Sequence, residues 1–212
     1  MTNAEKRIRR AIARRKKWRE RARKSDRRKL VAREIRAIQR LRAIADRIHR
    51  LPRVMFDDTD IDLIPRGARA VAGYTGGSWP TYFELLKRFR HARVVSIAVR
   101  SADRAQFLDV EPGDATIADF PKWWRSHPHA KGPYCSRSDA PGLVSYAEAR
   151  GIQRHAYVLW TAHYGAGRHI CGPKTCGCPV QADATQWTDR ANGRSLDESF
   201  LYPSFWRKKT SH

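Results

Sequence analysis

The first quarter of the chain lacks the two residues that most often interrupt helices. Residues 4–50 contain no glycine and no proline, and they are rich in Arg, Ala, Lys, Glu and Ile. This composition predicts one long helix that ends before Pro52. Acidic side chains are also scarce there, because residues 1–53 carry 22 Lys and Arg against 5 Asp and Glu, a net charge of +17 out of +22 for the chain. We therefore predict a basic helical arm over residues 1–50 and a separate domain over residues 51–212.

Long apolar runs are absent as well. No segment approaches the roughly 18 apolar residues of a membrane span, and the N-terminus lacks the apolar core of a signal peptide. The sequence thus predicts no membrane span, no export signal and synthesis in the cytoplasm.

The two halves of the arm differ in their apolar content. In the second half, an apolar stripe with spacings of three and four consists of Val31, Ile35, Ile38, Leu41, Ile44 and Ile48. Such a stripe can pack against the domain or another helix. The first half has few apolar residues, and its basic runs predict contact with nucleic acid or another polyanion through residues 1–29. These runs comprise Arg14, Arg15, Lys16, Lys17, Arg27, Arg28 and Lys29. A solvated helix or a disordered arm is the alternative.

Short apolar runs alternate with helical patterns beyond Arg53. The predicted strands are Val54–Phe56, Ala70–Tyr74, Arg93–Val99, Phe107–Val110, Gly132–Ser136, Tyr157–Thr161 and Ala182–Trp187, with Ser195–Leu201 as an eighth element or a closing turn. The predicted helical segments are Thr81–Arg90 and Leu143–Arg150, and Ile117–Trp124 begins the crossover after the fourth strand. This alternation predicts an α/β fold, either barrel-like or doubly wound. A regular eight-fold barrel needs about 250 residues, so some helices must be short or missing.

The segment AQFLDVEPGD at residues 105–114 places two carboxylates, Asp109 and Glu111, on an apolar run that Pro112 ends. Side chains two residues apart on a strand share a face, so both acids should lie at the strand's C-terminal end. Chemistry takes place at that end in parallel α/β barrels. Buried carboxylates are unfavourable unless they serve a purpose, which favours a catalytic pair over an acidic surface loop.

Other motifs follow the same order along the chain. They are Asp57 after the first strand, DVE at 109–111, Tyr134 with Cys135, LWTAHY at 159–164, TQWTD at 185–189 and SLDESF at 195–200. Over residues 54–206 this set resembles the glycoside hydrolase family 25 lysozymes and the related glycoside-hydrolase-like domains of actinobacteria and their phages. The resemblance implies an irregular, shortened TIM-like (β/α) barrel with fewer than eight helices. It also implies cleavage of the β-1,4 bond between N-acetylmuramic acid and N-acetylglucosamine in peptidoglycan.

The resemblance further implies roles for four acids. They are Glu111 as the general acid, Asp109 as its partner in the motif, Asp57 at the first strand's end and Asp197 as the final acid, with Asp58 or Asp189 as alternatives for the last two. Protonating a glycosidic oxygen requires a carboxylic acid of raised pKa, and an oxocarbenium-like centre requires a nearby anion. Like charges crowded in an apolar cup raise the pKa, and no cofactor is needed.

Aromatic residues also fall at the predicted strand ends, where flat rings can stack on sugar faces. We predict that Trp160 and Trp187 bind substrate, joined by Tyr74, Tyr134 and Tyr164. Core packing is the alternative for each of these rings.

Three of the four cysteines lie in the segment CGPKTCGC at residues 171–178. Their spacing matches no common zinc signature, so we predict no metal site. The alternatives are a metal cluster and a disulfide, the latter if the protein reaches an oxidising space. The metal cluster would consist of Cys171, Cys176, Cys178 and His169, with His163 close enough in sequence to contribute.

Two classes of function remain open. The first is a peptidoglycan-directed glycoside hydrolase that its basic arm tethers to an assembly such as a phage particle, with phage structural proteins as partners. The second is a non-catalytic virion structural protein or a nucleic-acid-associated protein that keeps the barrel as a binding module. The basic arm is unusual for a secreted enzyme, and it suits a protein anchored in an assembly.

The composition of the arm predicts binding to polyanions through charge alone. We expect the affinity of the full chain for double-stranded DNA to fall linearly with salt on a logarithmic plot, because each neutralised phosphate releases a counterion. Fluorescence anisotropy with two DNA duplexes of unrelated sequence measures this dependence. A complex that resists salt, or that prefers one duplex, would contradict the prediction.

Overall fold

The computed structural model describes residues 14, 17–18, 21, 23–27, 29–40 and 51–207. The chain divides into two compact units, Met1–Arg50 and Leu51–His212. Within the described residues, no helix is long and apolar enough to cross a membrane.

The described residues of the arm are helical. Val31, Ile35 and Ile38 of the apolar stripe are each about half exposed, at 50, 49 and 48%. The exposed basic side chains of this helix include Arg14, Lys17, Arg27 and Lys29. Outside the described residues lie Leu41, Ile44 and Ile48 of the stripe and Arg15, Lys16 and Arg28 of the basic runs.

Within residues 51–207, eight strands close into a barrel in chain order. They are β1 (Val54–Asp57), β2 (Ala70–Tyr74), β3 (Arg93–Ala98), β4 (Phe107–Val110), β5 (Gly132–Ser136), β6 (Trp160–Ala162), β7 (Ala184–Thr188) and β8 (Asp197–Leu201). Neighbouring strands from β1 to β7 pair in parallel, whereas β8 runs antiparallel to both β7 and β1. The predicted α/β, TIM-like barrel is confirmed.

Three α-helices lie between strands in this part of the chain. They are α1 (Tyr82–Arg88) after β2, α2 (Phe120–Ser126) after β4 and α3 (Ala140–Glu148) after β5. The connection from β1 to β2 contains only the 3-10 helix Ile61–Leu63, and no helix connects β3 with β4 or β6 with β7. The barrel is therefore irregular and short, which accounts for its size.

One strand begins later than the sequence pattern indicates. The predicted run Tyr157–Thr161 becomes a strand only at Trp160. The backbone N–H of Leu159 donates to the Asp183 carboxylate at 3.0 Å, and Asp183 also pairs with Arg154 at 2.8 Å. The Asp183 side chain thus binds the N–H of Leu159, while the carbonyl of Leu159 still accepts from the backbone of Asp183 and Ala184.

Two apolar layers fill the domain. Inside the barrel, Phe107 stacks on Phe205 with ring centroids 5.1 Å apart, and it meets Trp160 edge-on at 5.5 Å. Phe205 belongs to the 3-10 helix Pro203–Trp206 that follows β8. Because β8 is antiparallel, this aromatic cluster closes the end of the barrel at which the parallel strands begin. Outside the barrel, the helices bury Trp123, Leu143 and their neighbours.

The start of β5 leaves no room for a side chain. A Cβ on Gly132 would lie 1.8 Å from the carbonyl oxygen of Val158, whereas one on Gly67 would meet nothing within 4 Å. We expect Gly132→Ala to lower the free energy of unfolding by about 2 kcal/mol or more, because the backbone must move apart. Gly67→Ala should change it by less than ~0.5 kcal/mol. Urea unfolding of both variants measures this difference, and equal midpoints would contradict the packing described here.

Candidate active site

Four acids converge at the end of the barrel opposite the aromatic cluster. Asp57 is the last residue of β1, and Asp197, the first residue of β8, is its direct partner in the antiparallel ladder. Asp109 lies two residues after the inward-facing Phe107 on β4, so it also points into the barrel. Glu111 follows the end of β4. The structure thus brings the four predicted acids together at the C-terminal ends of the parallel strands, a region called the mouth below.

The two acids at the base of the mouth are almost completely buried. Asp57 is 4% exposed and Asp109 is 2% exposed. In residues 51–207, the Oδ1 atoms of both carboxyl groups are buried without a hydrogen-bond partner. Buried polar atoms without partners destabilise a fold, so these two oxygens indicate a site that is arranged for something other than stability.

Burial and like charge raise the pKa values of the acids. Burial raises the pKa of Asp109 to about 8, with further contributions from the charges of Glu111 and Asp114. Burial also raises the pKa of Asp57 well above its usual value, and the charge of Asp197 is the next cause. The pKa of Asp197 rises to about 6, mainly through burial, although a hydrogen bond with Gln186 opposes the rise. Protons are therefore retained in the mouth at pH values where ordinary carboxyl groups are ionised.

Glu111 differs from these acids in being only half-buried. Burial and then the charges of Asp114 and Asp139 raise its pKa, while a hydrogen bond with Tyr134 lowers it in part. A carboxyl group with a raised pKa that is still open to the mouth has the properties of a proton donor to a bound molecule.

Three tyrosines surround the acids. The hydroxyl of Tyr134 donates to Gln186 Oε1 at 2.6 Å. Burial, followed by the charge of Asp57, raises the pKa of Tyr74, and burial followed by the charge of Asp197 raises that of Tyr164. Tyr164 is 47% exposed, so its ring is available to a ligand in the mouth.

The structure corrects the role predicted for the two tryptophans. Trp160 has no exposed surface, packs against Tyr134 at 4.8 Å and donates from Nε1 to Ser199 Oγ at 3.0 Å, so it supports the floor of the mouth and cannot stack on a sugar. Trp187 lies at a β-bulge, and its Nε1 donates a hydrogen bond to Glu198. Glu198 points away from Asp197, because neighbouring residues on a strand face opposite sides. Its ring therefore lies outside the mouth.

The sequence reasoning missed Gln186, which contacts both Tyr134 and Asp197. Gln186 lies two residues after the inward-facing Ala184, and this alternation was the available signal. The alternative acids are peripheral to the buried pair. Asp58 accepts a hydrogen bond from the backbone of Asp60 at 2.7 Å, and Asp189 acts on Asp197 through its charge.

Comparison with protein-family models finds no match, and comparison with curated proteins finds none. Among solved structures, the chain is similar to an uncharacterized protein from B. stearothermophilus, with 14% sequence identity over 71% of this chain and 96% of that one and a TM-score of 0.48. It is also similar to the bacterial lysozyme from Streptomyces coelicolor, with 11% identity over 72% of this chain and 93% of that one and a TM-score of 0.42. Similarity at this level does not indicate which reaction the protein catalyses, so the chemistry is argued from the residues of this chain.

The raised pKa of Asp109 predicts how stability depends on pH. A carboxyl whose folded pKa of about 8 exceeds its usual value near 4 stabilises the fold while protonated, so this stability is present in full at low pH and is lost as the pH rises toward 8. We expect the Tm of the wild type to fall more between about pH 5 and pH 8 than the Tm of Asp109→Asn, which cannot titrate there. Calorimetry measures the difference. Glu84→Gln, an exposed acid on α1, should keep the wild-type pH dependence, and parallel curves for all three proteins would contradict the raised pKa.

Proposed function

We propose that the barrel is a glycoside hydrolase that cleaves the glycan of peptidoglycan, with Glu111 as the proton donor. The observation that carries this proposal is the convergence of four carboxyl groups with raised pKa values at one end of the barrel. Glycoside hydrolysis requires both a protonated carboxyl and a carboxylate beside the scissile bond, and a crowded acid cluster supplies both forms at one pH.

The pKa values divide the roles among the acids. Asp109, with a pKa of about 8, remains largely protonated at neutral pH, so its carboxyl group is available as a hydrogen-bond donor at the base of the mouth. Asp197, with a pKa of about 6, is largely ionised there and supplies negative charge to an oxocarbenium-like transition state. Asp57 lies directly opposite Asp197 in the ladder, so these two acids form a pair that titrates together.

The substrate class follows from the walls of the mouth and from the sequence resemblance. Tyr74, Tyr134 and Tyr164 place rings and hydroxyl groups around the acids, which suits a sugar with apolar faces and polar edges. The ordered motifs that resemble family 25 lysozymes support peptidoglycan as the particular glycan. The exposed basic side chains of the arm support a tether to a polyanion or an assembly, with a phage particle as one such assembly.

Replacing the proton donor tests the proposed chemistry. Glu111→Gln keeps the shape of the side chain but removes its transferable proton, so we expect turnover to fall by roughly two to four orders of magnitude. The release of reducing ends from purified mycobacterial or micrococcal peptidoglycan measures turnover, and pelleting with the insoluble wall measures binding, which should be retained.

Glu84→Gln is the matched control, because Glu84 is an exposed glutamate on α1. It should leave turnover unchanged. A wild-type protein that releases no reducing ends from either wall would overturn the enzymatic proposal, and wall binding without hydrolysis would instead favour a binding module.

A further inference from the structure

The connection between β6 and β7 contains a compact group of metal-binding side chains. Residues 163–183 form neither helix nor strand, yet they bring together His163, His169, Cys171 and Cys176. One ligand atom from each of these residues lies within 4.8 Å of the others. This group is separate from the carboxyl cluster, and neither the mechanism above nor the fold of the barrel requires it.

The distances from Cys171 Sγ to the two imidazole nitrogens are close to those around a tetrahedral metal ion, whereas the whole group spans up to 4.8 Å and must contract by about an ångström around the ion. Cys171 Sγ lies 3.6 Å from His163 Nδ1 and 3.5 Å from His169 Nε2. Ligands at the usual Zn–N and Zn–S bond lengths in a tetrahedron are separated by roughly 3.3–3.8 Å. The two imidazole nitrogens are nearer, at 2.8 Å, and a small rotation of the side chains must separate them by about half an ångström to admit an ion.

The hydrogen bond made by Nδ1 of His169 orients the ring so that Nε2 can bind a metal. His169 Nδ1 lies 2.7 Å from the carbonyl oxygen of Gly167, which can only accept, so Nδ1 carries the proton and Nε2 presents its lone pair to the group. Histidines that bind metals are usually fixed in this way by a backbone carbonyl or a carboxylate. Gly167 itself has φ +69°, a conformation that favours glycine and lets the chain turn back between the two histidines.

The backbone of the group is attached to the barrel at several points. The N–H of Cys171 donates to Thr185 Oγ1 on β7 at 2.8 Å, and the N–H of His163 donates to the carbonyl of Gln186 at 2.9 Å. Arg137, just after β5, donates to the carbonyl of Cys176 at 2.9 Å. Three hydrogen bonds, two from β7 and one from the residue after β5, therefore hold the ligands in place before any ion binds, which lowers the entropy lost on binding.

Cys178 does not belong to the group, although its position in the sequence had placed it in the alternative metal cluster. It is fully buried in an apolar cluster with Ile170 and Ala182, and His163 takes its place near the other ligands. All four cysteines of the chain are free thiols, so the alternative disulfide is not formed in this structure.

We propose that His163, His169, Cys171 and Cys176 bind one Zn²⁺ ion as a structural site. Two thiolates and two imidazoles form a tetrahedral donor set that suits zinc better than the harder cations Mg²⁺ and Ca²⁺. Four protein ligands leave no open position for water or substrate, which defines a structural site rather than a catalytic one.

The ion closes a loop that supplies one side chain to the mouth and another to the outer face of β7 and β8. Tyr164, next to His163, is the half-exposed tyrosine at the mouth. Arg168, next to His169, forms an ion pair with Glu198 and lies over the ring of Trp187, 5.6 Å from its centroid. Zinc thus fixes both side chains by fixing the histidines beside them, whether or not the barrel hydrolyses a glycan.

Metal analysis of the full-length, tag-free protein tests this proposal directly. After purification with a reducing agent and without added metal, we expect one zinc per chain by elemental mass spectrometry. Exchange with Co²⁺ should give the intense visible bands of tetrahedral cobalt and a thiolate charge-transfer band. A wild-type protein without zinc that also fails to give these bands would overturn the proposal, independently of any variant.

Three variants separate this set of ligands from the other thiols. We expect His163→Ala and Cys176→Ala to bind zinc at least tenfold more weakly in competition with a chromogenic chelator, since even changes to outer-shell partners weaken metal sites by roughly 10–100-fold. Cys178→Ala should bind it as tightly as the wild type. Circular dichroism establishes that each variant is folded. A Cys178→Ala protein that loses zinc, or a His163→Ala protein that retains it at full affinity, would show that the proposed set is wrong.

Discussion

Desolvation of the carboxyl groups controls the protonation of the whole site. Asp57 and Asp109 lie over an apolar floor built from Phe107, Trp160 and Phe205, and this floor keeps water from the base of the mouth. An ionised carboxylate is unfavourable in such surroundings, so the group keeps its proton and its pKa rises. The aromatic cluster therefore does more than fill the barrel, because it raises the pKa values of the two acids that lie over it.

The direction of β8 completes this arrangement. A parallel eighth strand would begin at the aromatic end of the barrel, and its first residue would lie far from the mouth. Because β8 runs antiparallel to β1, its first residue, Asp197, is instead the direct partner of Asp57, and Ser199 lies deeper, where its hydroxyl accepts a hydrogen bond from Trp160. A single reversed strand thus supplies both a titrating acid for the mouth and a polar anchor for its floor.

Period-two alternation made much of this site predictable from the sequence. The DVE motif placed Asp109 and Glu111 on one face, and the apolar runs gave most strands to within a few residues. Trp187 was assigned to the mouth because it lies at a strand end, although the alternation that turns Ala184 and Gln186 inward turns Trp187 outward. The cluster around Cys171 was only partly predictable, because His163 replaces Cys178 through the path of a loop that carries no periodic signal. Alternation along the sequence predicts which face of a strand a side chain lies on, but it does not predict the path of an irregular loop.

The pairing of β1 with β8 also bears on how the protein is made on the ribosome. These strands are separated by most of the domain, so the ladder that joins Phe56 with Glu198 and Asp57 with Asp197 forms only after the last strand has left the exit tunnel. Until then, β1 and β7 each present an open edge to other chains. The carboxyl cluster is consequently assembled at the end of synthesis, and a nascent chain that lacks β8 has neither a closed barrel nor the full set of acids.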